Sequence, residues 1–220
     1  MSTIFLDRDG VINENRSDYV KSWGEFRFLP SVHEAIVTLT RAGHRIIVCT
    51  NQAGVAKGLI SRGTVEDIHS RMQASIAESG GRIERVYYCP HGKQEGCACR
   101  KPQPGMLLQA KDELEIDLND AIFVGDSISD VRAGLAVGVR TMLVLTGLGV
   151  EQLRDHYHEA DGPFLVTMSL KHATDAILQG IHRSEGAYTM IDYSHSLFNS
   201  SNSINASLVA RLRMALSTEV

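Results

Sequence analysis

The sequence lacks long hydrophobic runs and an excess of positive charge. No stretch approaches the roughly 18 consecutive apolar residues of a membrane span, and the first residues, MSTIFLDRDG, lack the basic and apolar regions of a signal peptide. We therefore expect a cytoplasmic protein without a membrane segment. With 22 Lys and Arg against 26 Asp and Glu, the net charge of -4 argues against nucleic-acid binding. Any anionic ligand must be held by a few local cations.

Cysteine is scarce, and three of the four cysteines are close together. Cys89, Cys97 and Cys99 cluster with His91, whereas Cys49 stands alone. In a chain without an export signal, such a cluster indicates metal binding rather than disulfides. The pattern CxH, five residues, then CxC supplies three sulfurs and one nitrogen for a closed, structural Zn²⁺ site. Cys49 lies in a predicted strand, and we expect it to be a small, buried hydrophobic residue.

Apolar, β-branched segments alternate with helical patterns along the chain. The predicted strands are TIFL, RIIVCT, VYYC, AIFVGD and RTMLVL, and the predicted helices lie near residues 31–42, 65–79, 104–114 and 129–136. This alternation is typical of an α/β fold, a parallel sheet with helices on both faces. Right-handed crossovers then predict a doubly wound, Rossmann-like sheet. Ser31 with Glu34 forms a capping-box pattern for the first helix, and Gly43 is its predicted stop.

The composition shifts to Ser, Asn and Tyr near Arg183. We assign residues 1–182 to one domain, which includes the zinc loop 89–99, and residues 183–220 to a linker with a helical pattern at its end. After a predicted cap at Asn205, an apolar stripe is formed by Leu208, Val209, Leu212, Ala215 and Leu216. We expect this helix to dock loosely on the domain or on a second subunit, with a specific role as the alternative. We expect a monomer, with a tail-mediated dimer as the alternative.

Polar residues follow three of the predicted strands. Asp7 and Asp9 follow the first, Thr50 and Asn51 end the second, and Asp126 ends the strand AIFVGD. Ligands of open α/β sheets bind beyond the carboxyl ends of the strands, so these residues are expected to line one crevice. Asp7 and Asp9 share a strand face, where like charges repel. A hard cation such as Mg²⁺, with Asp126 as a third oxygen ligand, would relieve that repulsion.

A structural interpretation of the same acids stays open, in which they cap loops or pair with Arg8 and Arg132. Other residues favour phosphate chemistry. The hydroxyl of Thr50 and the amide of Asn51 suit hydrogen bonds to phosphate oxygens. Lys101, fixed before a proline, suits neutralisation of a phosphoryl group.

The set DRDGV, TN, RKP and GDSISD resembles the four motifs of the haloacid dehalogenase (HAD) superfamily of phosphotransferases. The resemblance implies that Asp7 is the nucleophile and that Asp9 is the general acid and then the base. It also implies that Asp7, Asp126 and the backbone carbonyl of Asp9 hold Mg²⁺, and that Thr50 and Lys101 stabilise the phosphoryl group. These roles agree with the physics, because a carboxylate attacks phosphorus once its charge is screened.

Within the superfamily, CPHGKQEGCACRKPQPGM and TNQAGVAKG are similar to segments of the D-glycero-D-manno-heptose 1,7-bisphosphate 7-phosphatases, relatives of the histidinol-phosphate phosphatases. This implies Mg²⁺-dependent removal of the C7 phosphate from a small phosphorylated sugar, in the synthesis of nucleotide-activated heptose. The expected substrate-binding residues are Asn51, Gln52 and Arg100 and, with a looser match, Asn15, Arg16, Ser17 and Asp18.

The chain departs from the family pattern at two positions near the site. Lys57 stands where the family often has Arg, and Ser127 follows Asp126 where some members have Lys. Two alternatives to the heptose reaction remain. One is a phosphatase for histidinol phosphate or another small sugar phosphate, and the other is a non-catalytic, zinc-stabilised binding module with the same fold.

Overall fold

The centre of the fold is a parallel β-sheet. The structure is a computed structural model, which describes residues 1–158 and 162–180 and the backbone of residues 190–191. The strands are β1 (Thr3–Leu6), β2 (Arg45–Asn51), β3 (Arg85–Cys89), β4 (Ala121–Gly125), β5 (Arg140–Val144), β6 (Leu165–Thr167) and β7 (Met190–Ile191). Their order is β3-β2-β1-β4-β5-β6-β7, and every neighbouring pair is parallel. The predicted doubly wound α/β fold is confirmed.

Helices cover both faces of this sheet. They are α1 (Val32–Arg41), α2 (Arg62–Glu78), α3 (Gly105–Leu114), α4 (Ile128–Leu135), α5 (Gly149–Asp155) and α6 (Leu170–Leu178). Because successive strand residues face opposite sides, Ile4 and Leu6 of β1 pack with α1, α2 and α6, whereas Phe5 packs with α3 and α4. Within the described residues, no helix is long and apolar enough to cross a membrane.

The four predicted helices and five predicted strands all form, with boundary shifts of at most a few residues. Four elements were not predicted from the sequence: α5, β6, α6 and the two-residue β7. Gly43 stops α1 as predicted and has a φ of 82°. The predicted capping box of Ser31 and Glu34 is wrong, because Ser31 has a φ of 61° and its side chain makes no capping hydrogen bond. A capping serine usually has an extended backbone, and the left-handed backbone of Ser31 departs from that geometry.

The C-terminal part of the chain falls mostly outside the described residues. The predicted linker from residue 183 and the predicted helix after Asn205 lie there, apart from Met190–Ile191, which pairs with β6. The predicted domain boundary after residue 182 therefore stays a prediction.

The strand order places the site. From β1 the chain moves outward to β2 and β3 on one side, and later to β4, β5 and β6 on the other. The carboxyl ends of β1, β2 and β4 are consequently neighbours, with Leu6 level with Val48 and Val124. This reversal of strand order is where open α/β sheets form their ligand crevice.

Candidate active site

A pocket of about 160 Å³ opens at the carboxyl ends of β1, β2 and β4. It brings together most of the predicted site residues. Its polar lining consists of Asp7, Asp9, Asn15, Arg16, Tyr19, Thr50, Asn51, Lys101, Asp126, Ser127, Ser129 and Asp130. The predicted crevice is therefore present, and the three polar strand ends meet in it.

Lys101 is the cation at the bottom of this pocket. Its side chain is 1% exposed, and its Nζ lies 2.8 Å from Asp7 Oδ1 and 2.6 Å from Asp130 Oδ1. Nζ also donates to the carbonyl of Cys49 at 2.9 Å. Burial alone would lower the pKa of Lys101, but the charges of Asp130 and Asp7 outweigh burial and hold the pKa above its usual value. The lysine is therefore charged.

Three carboxylates converge in this pocket, and two of them, Asp7 and Asp130, contact Lys101. Oxygens of Asp7, Asp126 and Asp130 all lie within 4.8 Å of one another. Burial raises the pKa of Asp7 to about 7 against the opposing effect of Lys101, with smaller contributions from Asp130 and Asp9. Burial and the charge of Asp7 also hold the pKa of Asp126 well above its usual range. When all three carboxylates are ionised, the cluster carries three negative charges against the one positive charge of Lys101, and a divalent cation would balance the excess.

The donor set fits Mg²⁺, which takes oxygen ligands. Asp126 is fixed in place because its Oδ2 accepts the backbone N–H of Leu148 at 2.7 Å. Gly10, with a φ of 85°, lies so close to Asp126 that a Cβ at this position would overlap the carboxylate. The backbone around Gly10 therefore closes one side of a compact cradle. Ligation of Mg²⁺ by Asp7, Asp126 and the backbone carbonyl of Asp9 stays a prediction.

Asp130 is a site residue that the sequence analysis missed. It is the second acid of GDSISD and lies in the first turn of α4, where it forms a capping box with Ser127. Asp130 Oδ2 accepts the N–H of Ser127 at 3.0 Å, which leaves Oδ1 for Lys101. The spacing of an acid three residues after a serine was the signal that could have identified it.

Asp9 has surroundings quite different from those of Asp7. Its carboxylate pairs with Arg8 at 2.9 Å and accepts hydrogen bonds from Asn13 at 2.9 Å and Gln52 at 2.8 Å. Burial would raise the pKa of Asp9, but the charge of Arg8 and these hydrogen bonds outweigh burial and lower the pKa. The structural alternative of pairing with Arg8 thus holds for the side chain of Asp9, whereas Asp7 pairs with Lys101.

Residues at the end of β2 support the lysine and the second acid. Asn51 Oδ1 accepts the N–H of Lys101 at 3.1 Å, and Asn51 Nδ2 donates to the carbonyl of Lys101 at 3.2 Å. Gln52 donates to Thr50 Oγ1 at 2.9 Å as well as to Asp9. Thr50 and Asn51 line the pocket, but Gln52 is buried outside the lining. The structure thus gives Gln52 contacts to Asp9 and Thr50.

Of the four predicted substrate-binding residues in the loop after β1, two line the pocket and two do not. Asn15 and Arg16 line the pocket, whereas Ser17 and Asp18 lie outside its lining. Asp18 pairs with Arg16 at 2.9 Å and with Lys21 at 2.6 Å. Hydrogen bonds from Lys21 and Arg16 hold the pKa of Asp18 at about 2, so this carboxylate is ionised and orients the cations around it.

A wider cleft of about 1030 Å³ adjoins the pocket. No carboxylate lines it among the described residues, although the whole chain is acidic. Its basic lining consists of Lys93, Arg100, Lys101, Arg132, His156 and His158. Arg100 lies in this cleft and outside the smaller pocket, and its Nη1 donates to the carbonyl of His91 at 3.2 Å. The cleft is therefore suited to a second anionic group beyond the one at Lys101.

The four predicted zinc ligands converge in the loop after β3. Cys99 Sγ lies 3.3 Å from Cys89 Sγ, 3.5 Å from Cys97 Sγ and 3.3 Å from His91 Nδ1. A tetrahedral ion with Zn–S bonds of about 2.3 Å separates its sulfur ligands by roughly 3.8 Å. The observed distances approach that value, so the donor set fits Zn²⁺. Cys49 lies outside this cluster and is 0% exposed, as predicted.

Comparison with known proteins agrees with the geometry. The HAD-hydrolase-like family model matches residues 98–173. D-glycero-beta-D-manno-heptose-1,7-bisphosphate 7-phosphatase of Pseudomonas aeruginosa is 46% identical over 69% of this chain and 85% of that protein. D-glycero-alpha-D-manno-heptose-1,7-bisphosphate 7-phosphatase of Campylobacter jejuni is 37% identical over 64% of this chain and 81% of that protein.

A solved structure gives the same result in three dimensions. The D,D-heptose 1,7-bisphosphate phosphatase of B. bronchiseptica, complexed with magnesium and phosphate, has a TM-score of 0.76 and 38% identity over 82% of this chain and 99% of that one. The likeness therefore includes almost all of that enzyme. Together with the strand-end acids, Lys101 and the Cys/His loop, these comparisons show that the chain belongs to the heptose 1,7-bisphosphate 7-phosphatase family of the HAD-like hydrolases.

Proposed function

We propose that the chain is a Mg²⁺-dependent phosphatase that removes the C7 phosphate of D-glycero-D-manno-heptose 1,7-bisphosphate, in the synthesis of nucleotide-activated heptose. The observation that carries the proposal is the buried pair of Asp7 and Lys101, 2.8 Å apart, inside a pocket that opens into a cation-lined cleft. A nucleophile and a cation placed together suit phosphoryl transfer. A binding module would not require both.

Asp7 and Asp126, with the backbone carbonyl of Asp9, would hold Mg²⁺. When bound, the ion screens the negative charges of the phosphate and of Asp7. Burial raises the pKa of Asp7 to about 7 even beside Lys101, and a divalent ion next to Asp7 would favour the ionised form that attacks phosphorus. Lys101 and Thr50 would hold the phosphoryl oxygens. Asp130 would keep Lys101 charged and in place, since the two are 2.6 Å apart.

The reaction then proceeds in two displacements. A carboxylate oxygen of Asp7 attacks phosphorus, the bond between phosphorus and the C7 oxygen breaks, and the departing alkoxide takes a proton from Asp9. A water molecule next attacks the phosphoaspartyl group on Asp7, and Asp9 accepts a proton from this water. The P–O bond to Asp7 breaks, inorganic phosphate leaves, and both aspartates return to their initial states.

The environment of Asp9 suits this double role. Arg8 and the amides of Asn13 and Gln52 lower its pKa and fix it beside the pocket, which favours the base form in the second step. A bound phosphate ester brings negative charge close to Asp9 and raises its pKa, which favours the acid form in the first step. The same residue can therefore hold and release one proton within a cycle.

The second phosphate of the substrate would lie in the cation-lined cleft. Arg100 is the proposed ligand for the C1 phosphate, because its donors suit bidentate contact with an anion and it lies outside the pocket of Lys101. Binding energy at this remote group positions the C7 phosphorus against Asp7. Asn15 and Arg16 line the pocket and are proposed to contact the substrate; Ser17, Asp18 and Gln52 are proposed only from the family resemblance.

The Cys/His loop is proposed to hold one structural Zn²⁺. All four ligand positions are filled by protein atoms, which leaves no open position for catalysis. Three unpaired thiols in contact also favour a reducing compartment, and we propose that the enzyme acts in the cytoplasm. We propose a monomer, with association through residues 183–220 as the alternative that light scattering would detect.

The proposal is tested by steady-state phosphate release from both anomers of heptose 1,7-bisphosphate, from fructose 1,6-bisphosphate and from histidinol phosphate, with and without Mg²⁺. We expect the highest kcat/KM for one heptose anomer and loss of turnover without Mg²⁺. A higher kcat/KM for histidinol phosphate or fructose 1,6-bisphosphate would reject the heptose assignment. Absence of hydrolysis with all four substrates would reject the enzyme and favour a binding module.

A further inference from the structure

A buried chain of hydrogen bonds joins α2 to Asp9 through Arg8. The side chain of Arg8 is 1% exposed. Its Nη2 lies 2.9 Å from both Asp9 oxygens, and its Nη1 lies 3.0 Å from Nε2 of His69. His69 is 5% exposed and belongs to α2. The reaction described above uses Arg8 only as the direct partner of Asp9 and gives His69 no role.

The geometry fixes the state of His69. A guanidinium only donates hydrogen bonds, so Nε2 of His69 must accept, and the ring carries its single proton on Nδ1. Burial and the charge of Arg8 lower the pKa of His69 to about 3, so the ring is neutral at neutral pH. Tyr88 packs edge-on against the ring, with centroids 5.5 Å apart. The ring is thus held in the orientation that presents Nε2 to Arg8.

This acceptor constrains Asp9 through a shared group. If Nε2 were removed, Nη1 of Arg8 would be a buried donor without this acceptor. That loss costs free energy unless the guanidinium turns toward another acceptor. Because Nη2 of the same planar group is bonded to both oxygens of Asp9, any such turn moves the Asp9 carboxylate. Asn13 and Gln52 restrain the carboxylate only in part, since each donates to one oxygen.

We propose that His69 is a positioning residue for Asp9, acting through Arg8 to aim the carboxylate that protonates the departing C7 oxygen. The inference rests on the proposed function, in which Asp9 is the general acid. It makes α2 part of the catalytic apparatus, although none of its residues lines the active-site pocket.

The role has a chemical signature that a purely structural role lacks. A sugar alkoxide needs a proton to depart, whereas p-nitrophenolate is a stable anion and leaves without one. A misaimed general acid therefore slows phosphoryl transfer from a sugar phosphate more than from p-nitrophenyl phosphate. The ratio kcat/KM covers the steps up to the first irreversible one, so hydrolysis of the phosphoaspartyl group does not obscure the difference.

The test compares His69→Gln with His69→Asn. Both are uncharged amides, but only Gln is long enough to place an acceptor near the position of Nε2. For His69→Asn we expect kcat/KM with heptose 1,7-bisphosphate to fall about tenfold, as misplacement of a catalytic group by a fraction of an ångström would cause. We expect kcat/KM with p-nitrophenyl phosphate to change less than about threefold, and His69→Gln to recover most of the loss.

Controls separate this inference from the proposed function. His33 also forms one ring hydrogen bond, with Ser75 Oγ at 3.1 Å, but its ring is not bonded to Arg8. His33→Asn should therefore leave kcat/KM unchanged for both the bisphosphate and p-nitrophenyl phosphate. Asp9→Asn must show the same dependence on the leaving group. If wild type fails to hydrolyse the bisphosphate, or if Asp9→Asn slows both substrates equally, the proposed function is wrong in that respect. If Asp9→Asn behaves as expected but His69→Asn is unchanged, or slows both substrates equally, the positioning role is rejected.

Discussion

The two candidate metal centres differ in how the protein holds their ligands. The carboxylates of Asp7, Asp126 and Asp130 are buried and each has a partner from the fold: Lys101, the backbone of Leu148 and the cap of α4. The sulfur and nitrogen atoms of the Cys/His loop instead contact one another; Cys89 is buried at the end of β3, and the other three ligands are partly exposed. The first arrangement exists before any ion binds and keeps room for substrate, whereas the second would be organised by its ion.

This difference predicts opposite consequences of damage. Loss of the oxygen centre, formed by the carboxylates of Asp7, Asp126 and Asp130, should abolish catalysis. The fold should stay intact, because the strands and Lys101 remain. Loss of the sulfur centre, formed by Cys89, His91, Cys97 and Cys99, should loosen the Cys/His loop. It should affect catalysis only through the residues that follow this loop. Cys99 is two residues from Lys101, so the two centres are linked by one short segment.

The largest effect is expected for Asp7→Asn. The amide keeps the shape of the side chain but cannot attack phosphorus, so kcat should fall by at least about 10⁴-fold, as for other nucleophiles that act within a unit. Stability should hardly change or rise slightly, because burial already disfavours the charged form of Asp7 and raises its pKa to about 7. Turnover and thermal unfolding measured on the same preparation check both parts. Substantial residual turnover would remove Asp7 as the nucleophile.

Cys97→Ser tests the expected loss of stability at the sulfur centre. We expect loss of about one zinc per chain and a decrease of roughly 3 kcal/mol in the free energy of unfolding, because a tightly bound ion stabilises the state that binds it. For a chain of this size, the corresponding decrease in Tm is about 6–12 °C. Metal analysis and thermal unfolding measure the two quantities.

The matched control for this variant is Cys49→Ala, which removes a buried cysteine outside the cluster. It should retain zinc even if it unfolds at a lower temperature. Absence of zinc in wild-type protein purified without chelator would contradict the assignment. Loss of turnover with an unchanged Tm in Cys97→Ser would instead make the sulfur centre catalytic and remove the contrast between the two sites.

Arg100, which lies between the two centres, provides a test of how the substrate is bound. A charge-assisted hydrogen bond to a phosphate is worth about 1.5–3 kcal/mol, so Arg100→Ala should lower kcat/KM for heptose 1,7-bisphosphate by roughly 10- to 100-fold. Heptose 7-phosphate, which lacks the distal group, should be affected much less. The measured quantity is the ratio of the two kcat/KM values. An unchanged ratio would transfer the distal-phosphate role to Lys57 or Lys93.

Two controls accompany the Arg100 measurement. Lys93→Ala removes an exposed cation of the same cleft and should narrow the ratio less than Arg100→Ala. Zinc content should be unchanged in Arg100→Ala, since its contact with the loop is a single hydrogen bond to the carbonyl of His91. Loss of zinc in this variant would mean that its effect on substrate reports the loop rather than the cleft.

Sequence patterns predicted the features that depend on local order in the chain. The strand ends at Asp7, Thr50 and Asp126 meet because parallel strands present their carboxyl ends at one edge, and the Cys/His spacing alone indicated the loop cluster. Contacts between distant residues were not predictable in this way. The bond of Arg8 to His69 spans 61 positions, and no local pattern encodes it.

Local patterns also failed where the backbone departs from its usual geometry. Ser31 and Ser127 both precede an acid by three residues, yet only Ser127 forms a capping box. Ser31 has a left-handed backbone, which a sequence pattern does not reveal. The helices α5 and α6, with 7 and 9 residues, were not predicted although α4 has only 8, so length is not the reason. The core contacts of α6 are with α1, which is distant in the chain and is not part of any local pattern.

An ion pair away from both centres gives the smallest expected effect and a baseline for the others. Arg45 holds Glu84 through two hydrogen bonds of 2.8 and 2.9 Å on the surface of the sheet. The hydrogen bond from Arg45 lowers the pKa of Glu84 below its usual value, against a smaller opposing effect of burial. The folded protein thus binds the Glu84 proton more weakly than the unfolded chain does. The stabilisation is therefore fully present above the unfolded pKa and disappears as pH falls through the folded pKa.

Glu84→Gln should accordingly lower the free energy of unfolding by about 0.5–1 kcal/mol at pH 7, the range of partly exposed ion pairs. The difference from wild type should shrink once the pH falls below the unfolded pKa of a glutamate, and it should vanish as the folded carboxylate takes up its proton. Urea unfolding at several pH values measures it, and added salt should reduce it. Because this pair touches neither centre, kcat and zinc content should stay at wild-type values. A penalty that persists unchanged at low pH would mean that Glu84 acts through packing, and a change in turnover or zinc would show that effects spread from the sheet edge into the two sites.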